Sequence, residues 1–543
     1  MSLQMRWGIC GAAAALMLLA ATAHADSSAQ QQSMEELRNT VVNLLQALVD
    51  KGLLTREQAQ QLVKQAQDKA SAEAAAAAAR NAAQAKEDEN AVRVPYVPQI
   101  VKDEISQQVA AEVKPAVEAD LVKQNRMPPW LSRVSVFGDV QVRGQANWYP
   151  SDNSFQQLLN YNSVNAAGGV TKATYPFMNT TYNDYFLRIR ARLGIQATLT
   201  DTLRAYIRLS SGSLTSIAGS ASQTLGQYGN RYTIGIDQAY LVWDSSTADT
   251  LPIATVLGGR IPNPWFSPTE LQFARDLTFE GIAATTRLAW GDEEGADRSH
   301  VYLTLGGFPM LMSPLQSSQS KWMVGGQLGT NLRFNDGDDH LRLAGAFYDY
   351  FNVTGQLNAP YSTQLNYTAP AFVQWGNTMF NIANNPTDTT VQLFGLAARF
   401  RIADVAAQFE HRFERYSLAL AAQGARNYGY DLGQIEALTG QPISSPQNKG
   451  YVAELSFGDP VIDRRGTWRA ALGYRYVRSD AVLDAWTDAD FHQGGTNAAG
   501  YYLWSTLGLA YNTWLRVRYF SANEITGPRY ALDILQIDVA ARF

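Results

Sequence analysis

Arg188, Arg190 and Arg192 alternate with Leu187, Ile189, Ala191 and Leu193 in the stretch DYFLRIRARLGIQATL, residues 184–199. Successive side chains of a strand point to opposite faces, so this segment builds one apolar face and one cationic face. A guanidinium stays charged at any working pH and offers a fork of donors that fits carboxylate and phosphate oxygens. Spaced roughly 7 Å along a strand and about 4.8 Å between strands, such groups lie within one Debye length, so their potentials add. The chemistry open to this face is the guidance of anions through water. Bond-making chemistry needs more. Apart from His24, His300 and His340 sit beside short turns, His492 lies in a loop, and His411 shares the outward parity of Val405, Ala407 and Phe409. No pair has metal-ligand spacing, and none has a nucleophile placed against it. The GGR and GLG strings neither follow the dinucleotide spacing nor open a helix. The expectation is a protein that is not an enzyme and needs no metal, cofactor or nucleic acid.

Three regions must position these residues. Residues 1–25 carry Arg6, an apolar run from about Ile9 to Ala21, and AHA at 23–25, the layout of a cleaved secretory signal. The single cysteine, Cys10, falls inside that segment, which leaves the exported chain without a disulfide or a thiolate metal site. Residues 26–128 are rich in Ala, Gln, Glu and Lys and read as a periplasmic helical segment. Met34, Leu37, Val41, Leu44 and Leu48 form a short coiled-coil seam, Thr55 and Gln58 a capping box, and residues 101–122 a further helix. Pro128 and Pro129 stop any helix at the boundary. Residues 129–543 are rich in Gly, Tyr, Trp, Asn and Thr and alternate with period two.

In that third region the last strand places Leu535, Ile537, Val539, Ala541 and Phe543 on one face, and Gln536, Asp538 and Arg542 on the other. Alternation alone also suits a soluble sandwich. The connections decide: long and short ones alternate strictly along about sixteen strands, with eighteen as the alternative count, as in an all-β, antiparallel, up-and-down transmembrane barrel. Among the expected strands are 389–402, through LFGLAARFRI, and 403–417, with residues 418–448 as a long loop. Aromatics sort to strand ends, as membrane-interface girdles do. With the N-terminus periplasmic, Trp148, Tyr185, Tyr348, Tyr350, Tyr416, Tyr451 and Tyr501 fall at outer ends, and Trp243, Trp290, Tyr511 and Phe543 at periplasmic ends. The apolar face of residues 184–199 then meets lipid and its arginines face a water-filled lumen, because a barrel of about this size leaves an aqueous channel. By the same register Arg204, Arg208, Arg260 and Arg287 point inward and line the pore, as do Arg333, Arg475, Arg516 and Arg518 further along the chain.

PPWLSRVSVFGDVQVR, DYFLRIRARLG, IDQAYLVW and GGRIPNPWFSPTELQFARDLTFEGIA, in that order, resemble the bacterial putative-porin family, although Gln141 stands where a further arginine is expected. The resemblance implies an outer-membrane barrel of a Gram-negative bacterium with a periplasmic helical segment. In porins the third long loop folds inward. Residues 261–278 hold that place, so Glu270 and Asp276, with Glu280 just beyond, would face the arginine wall across a constriction. The function expected is passive diffusion of small hydrophilic solutes with a mild anion preference. Alternatives are a specific anion or phosphate channel, or a structural tether to the cell wall. The partners expected are membrane lipid and lipopolysaccharide, the solutes or anions themselves, two further copies in a homotrimer, and a peptidoglycan contact through the helical segment.

Overall fold

The computed structural model describes residues 131–212, 222–246, 251–290, 298–312, 319–335 and 337–543. The expected signal, the helical segment 26–128 and its coiled-coil seam lie outside the described residues. Among those described, one seventeen-strand sheet includes a two-residue strand, Gln223–Thr224, leaving sixteen full strands. In chain order these are β1 (Val134–Trp148), β2 (Asp184–Thr200), β3 (Leu203–Ser211), β4 (Ile234–Asp244), β5 (Ala254–Pro262), β6 (Thr278–Trp290), β7 (Ser299–Leu311) and β8 (Lys321–Phe334). The second half comprises β9 (Asp339–Phe351), β10 (Arg401–Arg412), β11 (Ser417–Asn427), β12 (Lys449–Gly458), β13 (Trp468–Val477), β14 (Ala498–Ala510), β15 (Thr513–Glu524) and β16 (Ala531–Arg542). Each pairs antiparallel with its neighbour. The ring closes where β1 pairs with β16, Val142 opposite Val539, while its other edge pairs with β2, Gln141 opposite Arg190. Closure removes the free edges that an open sheet would present to hydrocarbon.

Alternation then sorts the two faces. Val140, Val142, Leu187, Leu193, Ile195, Leu305, Leu328 and Val405 are exposed, while the arginines between them are half-buried or buried. An apolar belt of this extent is incompatible with water and compatible with a bilayer. Leu193, near the middle of β2, supplies a test. Leu193→Arg should cost about 2–4 kcal/mol of barrel stability, read from urea unfolding in lipid vesicles, whereas Gln196→Arg on the opposite face should cost little. Equal losses at the two positions would invert the assignment of faces.

Long connections gather at one end of the barrel: 149–183, 263–277, 352–400, 428–448 and 478–497. Two short helices cap themselves within them. In α1 (Tyr161–Ala167), Asn160 accepts from Ser163 N and Gly168 closes the end with a left-handed φ. In α2 (Leu432–Thr439), Asp431 and Gly440 take the same parts. At the opposite end, two-residue turns such as 201–202 and 511–512 suffice.

Three expectations need correction. Residues 389–402 do not form a wall strand. Phe394–Leu396 pairs instead with Met379–Asn381 in a small ribbon inside the 352–400 loop. The wall strand β10 starts at Arg401, and β11 runs through SLALAAQGARN, most of which the sequence pattern assigns to the 418–448 loop. Its alanines are weak strand formers, and only Leu418 and Leu420 mark its outer face. Second, Tyr416 lies in the turn between β10 and β11, at the short-loop end, where it packs with Phe457 and Trp468. Third, Tyr348 and Tyr350, each 1% exposed, point inward rather than joining a girdle. Phe347 and Phe351 take the outward positions on that strand.

Candidate functional site

The inner face is divided. On the arc from β5 to β13, near the long-loop end, Ile261, Phe279, Phe308, Met323, Tyr348, Tyr350, Ile402, Val452 and Val477 turn inward and are buried. They pack against Trp265, Leu271 and Phe273 of the 263–277 loop, against Phe380, Ile382 and Phe400 of the 352–400 loop, and against Trp486 of the 478–497 loop. Trp265 meets Phe308 and Tyr348 edge-on, and Phe273 meets Phe279 and Tyr348 in the same way. One loop that contacts many strands around a closed ring can only lie inside it. The 263–277 loop, third of the connections at this end once that between β3 and β4 is counted, therefore folds inward as the resemblance implies, and two further loops join it, which nothing in the periodicity indicates.

Polar side chains of the wall pin this loop. Gln327 on β8 bonds both backbone groups of Phe266, accepting from its N at 2.8 Å and donating to its O at 2.9 Å. Gln423 on β11 accepts from Thr269 Oγ1 at 2.6 Å and donates to Asp404. Ala425 of β11 joins the same apolar cluster as Leu271 and Phe273 of the loop. Arg475 on β13, 2% exposed, donates to Glu270 O, Thr487 Oγ1 and Gly495 O, tying the 263–277 loop to the 478–497 loop. Near the base of the loop Gly259 and Gly281 face each other with φ of 124° and 142°. A Cβ at Gly281 would sit 2.2 Å from Gly307 O, so only glycine fits there.

The arc from β14 through β3 carries charge, and most of it is matched. Arg190 and Arg192 both bridge Asp139 of β1 and Asp276 of the 263–277 loop, at 3.1, 3.0, 2.6 and 2.9 Å. Burial acts against ionisation of Asp276, but the two guanidinium groups outweigh it and hold the carboxyl below its usual range. A second quartet joins Arg143 and Arg518 to Asp490 and Asp538: Arg143 at 2.9 and 2.6 Å, Arg518 at 2.8 and 3.5 Å. Asp490 is half-buried, which acts against its ionisation, yet Arg518, Arg143, a bond from Gln536, and Arg188 drive its carboxyl well below the ordinary range.

The remaining expected residues are spread along the wall. Arg188 donates to Ser222 O at 3.3 Å. Arg204 pairs with Asp244 and Arg208 with Asp237. Arg260 pairs with Glu280 and also donates to Asp237 O, and Arg287 donates to Thr255 Oγ1 and Pro252 O. Of the acids proposed for a constriction, Asp276 reaches the arginine wall. Glu270 instead turns back on its own loop, accepting from Arg275 N and pairing with the Arg275 guanidinium at 3.4 Å. Glu280 is on β6, its side chain 60% exposed, and belongs to the wall rather than the loop. Asp237, Asp244 and Asp490 were missed. Asp490 could have been found only by knowing that its loop enters the lumen.

A closed antiparallel wall, apolar outside, charged and narrowed by inward loops within, defines a transmembrane barrel of the porin type. The chain belongs to the family described as "Putative porin", whose model matches residues 38–543. Membership places the barrel in the outer membrane and gives it a transport role as a diffusion channel rather than a catalytic one. Among the described residues, no group of His, Cys, Asp or Glu could hold a metal ion. No curated protein matches the sequence. Solved structures that resemble the fold include the high-pH structure of Pseudomonas putida OprB, 10% identical with TM-score 0.43, covering 79% of this chain and 96% of that one. The outer-membrane channel DcaP of Acinetobacter baumannii is 12% identical with TM-score 0.37, covering 76% and 97%. OmpT of Vibrio cholerae, expressed in the outer membrane, is 11% identical with TM-score 0.37, covering 76% and 97%.

Proposed function

We propose that this porin passes small hydrophilic solutes passively, with a mild preference for anions. The observation that carries the reading is the charge-paired arc facing the inward 263–277 loop. Its two quartets are electrically neutral, so the row Arg188, Arg190, Arg192 contributes far less field than three bare guanidiniums would. What survives is a small positive excess, because Arg188 and Arg287 bond to backbone or hydroxyl oxygens rather than to carboxylates. Neutral quartets with a small cationic remainder support weak selectivity rather than tight capture of one anion. Nothing in the described residues favours a tether.

Ion pairs give the reading a specific test in planar bilayers. Arg190→Gln leaves Asp139 and Asp276 short of a partner, and the zero-current potential in a KCl gradient should move toward cation preference. The double variant Asp139→Asn/Arg190→Gln removes one charge of each sign and should return most of that shift. Both shifts should shrink as salt rises and screening shortens, to a Debye length of about 3 Å at 1 M. A double variant that shifts as far as the single one would mean that Arg190 acts on passing ions directly, and that pairing does not set selectivity. Absence of any conductance from wild-type protein would remove the channel reading itself.

A further inference from the structure

Most lumen arginines are paired with carboxylates, but Arg516, like Arg188 and Arg287, is not. Arg516 on β15 donates its Nε to Thr506 Oγ1 at 2.9 Å, and its guanidinium lies over the Trp504 ring at 5.7 Å. Among the described residues no carboxylate is in ion-pair contact with it. Its charged neighbours include Arg275, Arg518, Arg190 and Asp538, and Glu270, Glu454 and Asp488 share the cavity beside it. A cavity of about 100 Å³ opens beside it, between β12–β15 and the inward loops, bounded by Arg516, Arg275, Trp504, Glu270 and Asp488 among others. That volume is room for about three waters, or for one carboxylate or phosphate group.

The other charges around the cavity are already engaged. Arg475 is committed to three loop oxygens, and Arg518 to Asp490 and Asp538. Glu454 accepts from Trp504 Nε1 at 3.0 Å, Glu270 is held by Arg275, and Asp488 accepts from Asp490 N at 2.7 Å. Arg516 is thus a guanidinium fixed in orientation by a hydroxyl on one edge and an indole beneath it. Its terminal nitrogens have no ion-pair partner among the described residues, and Arg275 and Arg518 lie near it.

We infer that Arg516, with Arg275 closing from the loop, forms a binding station for the oxyanion group of a small solute, a carboxylate or a phosphate. The inference rests on the channel reading and locates its anion preference in this cavity, away from the Arg188–Arg192 row. Two terminal N–H groups of one guanidinium match two oxygens of one oxyanion, a geometry that a lysine cannot supply. The site is shallow and lacks a second fixed donor set, so a passing solute pauses and leaves.

The experiment uses the full chain in planar bilayers and follows the chloride-carried single-channel current while inorganic phosphate, or acetate in a parallel series, is added. Wild-type current should fall as phosphate rises. In Arg516→Gln the phosphate needed to halve the variant's own current should rise at least about tenfold, the change expected for losing charge-assisted hydrogen bonds to an anion. Arg516→Lys, which keeps the charge and loses the fork, should fall between the two. Heat-dependent gel mobility confirms that each variant is a closed barrel. Equal half-blocking concentrations in wild type and Arg516→Gln would overturn the site, and so would a wild-type current indifferent to both anions. If wild type carries no chloride current, the channel reading falls, and the station falls with it. The acetate and phosphate series separate a carboxylate site from a phosphate site.

Discussion

Arg143→Ala is expected to destabilise the barrel by about 3–5 kcal/mol, the loss typical when one partner of a buried ion pair is removed. Arg143 is 8% exposed and Asp538 5%, so the truncation strands Asp538 among strands, and weakens Asp490, with little water to replace the guanidinium. The partners span the seam: Arg143 is on β1, Asp538 directly opposite on β16, and Asp490 on the 478–497 loop. One side chain thus holds the closing strand pair and an inward loop together. Arg204→Gln is the comparison. Arg204 is 34% exposed in its pair with Asp244, and a pair with that much water is worth about 0–1 kcal/mol. Urea unfolding in vesicles checks both. A depressed carboxylate contributes stability above its unfolded pKa, and that stability is lost only as pH falls through the folded value. Asp490 is held far below the ordinary range, so the Arg143→Ala loss should be as large at pH 5 as at pH 8. A loss below about 1 kcal/mol would place the quartet among solvated pairs.

The second large effect has the opposite sign with pH. Asp480 and Asp484 lie in the 478–497 loop, both buried, and neither has an ion-pair partner among the described residues. Asp480 accepts from Thr378 N at 2.9 Å and Thr378 Oγ1 at 2.7 Å, clasping the 352–400 loop. Asp484 Oδ1 has no hydrogen-bond partner. Burial pushes Asp484 up to about 7, with Asp480 beside it adding to the effect, and pushes Asp480 up to about 6. A carboxyl whose folded pKa lies above its unfolded one keeps its proton longer when folded. Its stabilising influence is therefore greatest near pH 4 and declines as pH rises toward 7. The loop clasp should loosen between pH 5 and pH 8, and Asp484→Asn should remove most of that slope while raising stability at pH 8 by about 2 kcal/mol. Protease nicking of the 478–497 loop, or hydrogen exchange across it, reads the change. Wild-type protection of this loop, taken relative to the intrinsic base-catalysed exchange rate at each pH, that does not fall from pH 5 to pH 8 would refute the argument.

Much of the barrel was legible because its two solvents impose period two on every strand. The residues that failed to show are those where a third environment intervened. On β4 the register slips between Arg208 and Leu209 of its partner, which leaves Asp237 as an extra residue. Ile236 and Leu241 both face out across that bulge, so parity counted along IDQAYLVWD cannot place Asp237 and Asp244 on the inner wall. On β11 the buried inner residues include Ala419, Ala421 and Ala425, and alanine gives the sequence no strand signal. In the 478–497 loop, buried Trp486 and Phe491 sit beside Asp480, Asp484, Asp488 and Asp490. This mixture reads as surface until its partners are known. Asp276 was legible because one inward loop and one arginine row were enough to pair it.

The apolar packing near the long-loop end of β5 to β13 gives that part of the lumen a low-dielectric wall facing the charged arc. Such packing polarises far less than water. Field lines from charges on the opposite wall are therefore kept out of it and crowded into the polar space that remains, as they are in any cleft with low-dielectric walls. A single unmatched guanidinium there acts across a narrower, less screened gap than it would in an open sixteen-strand lumen, so the aromatic side of the barrel amplifies what the cationic side can do.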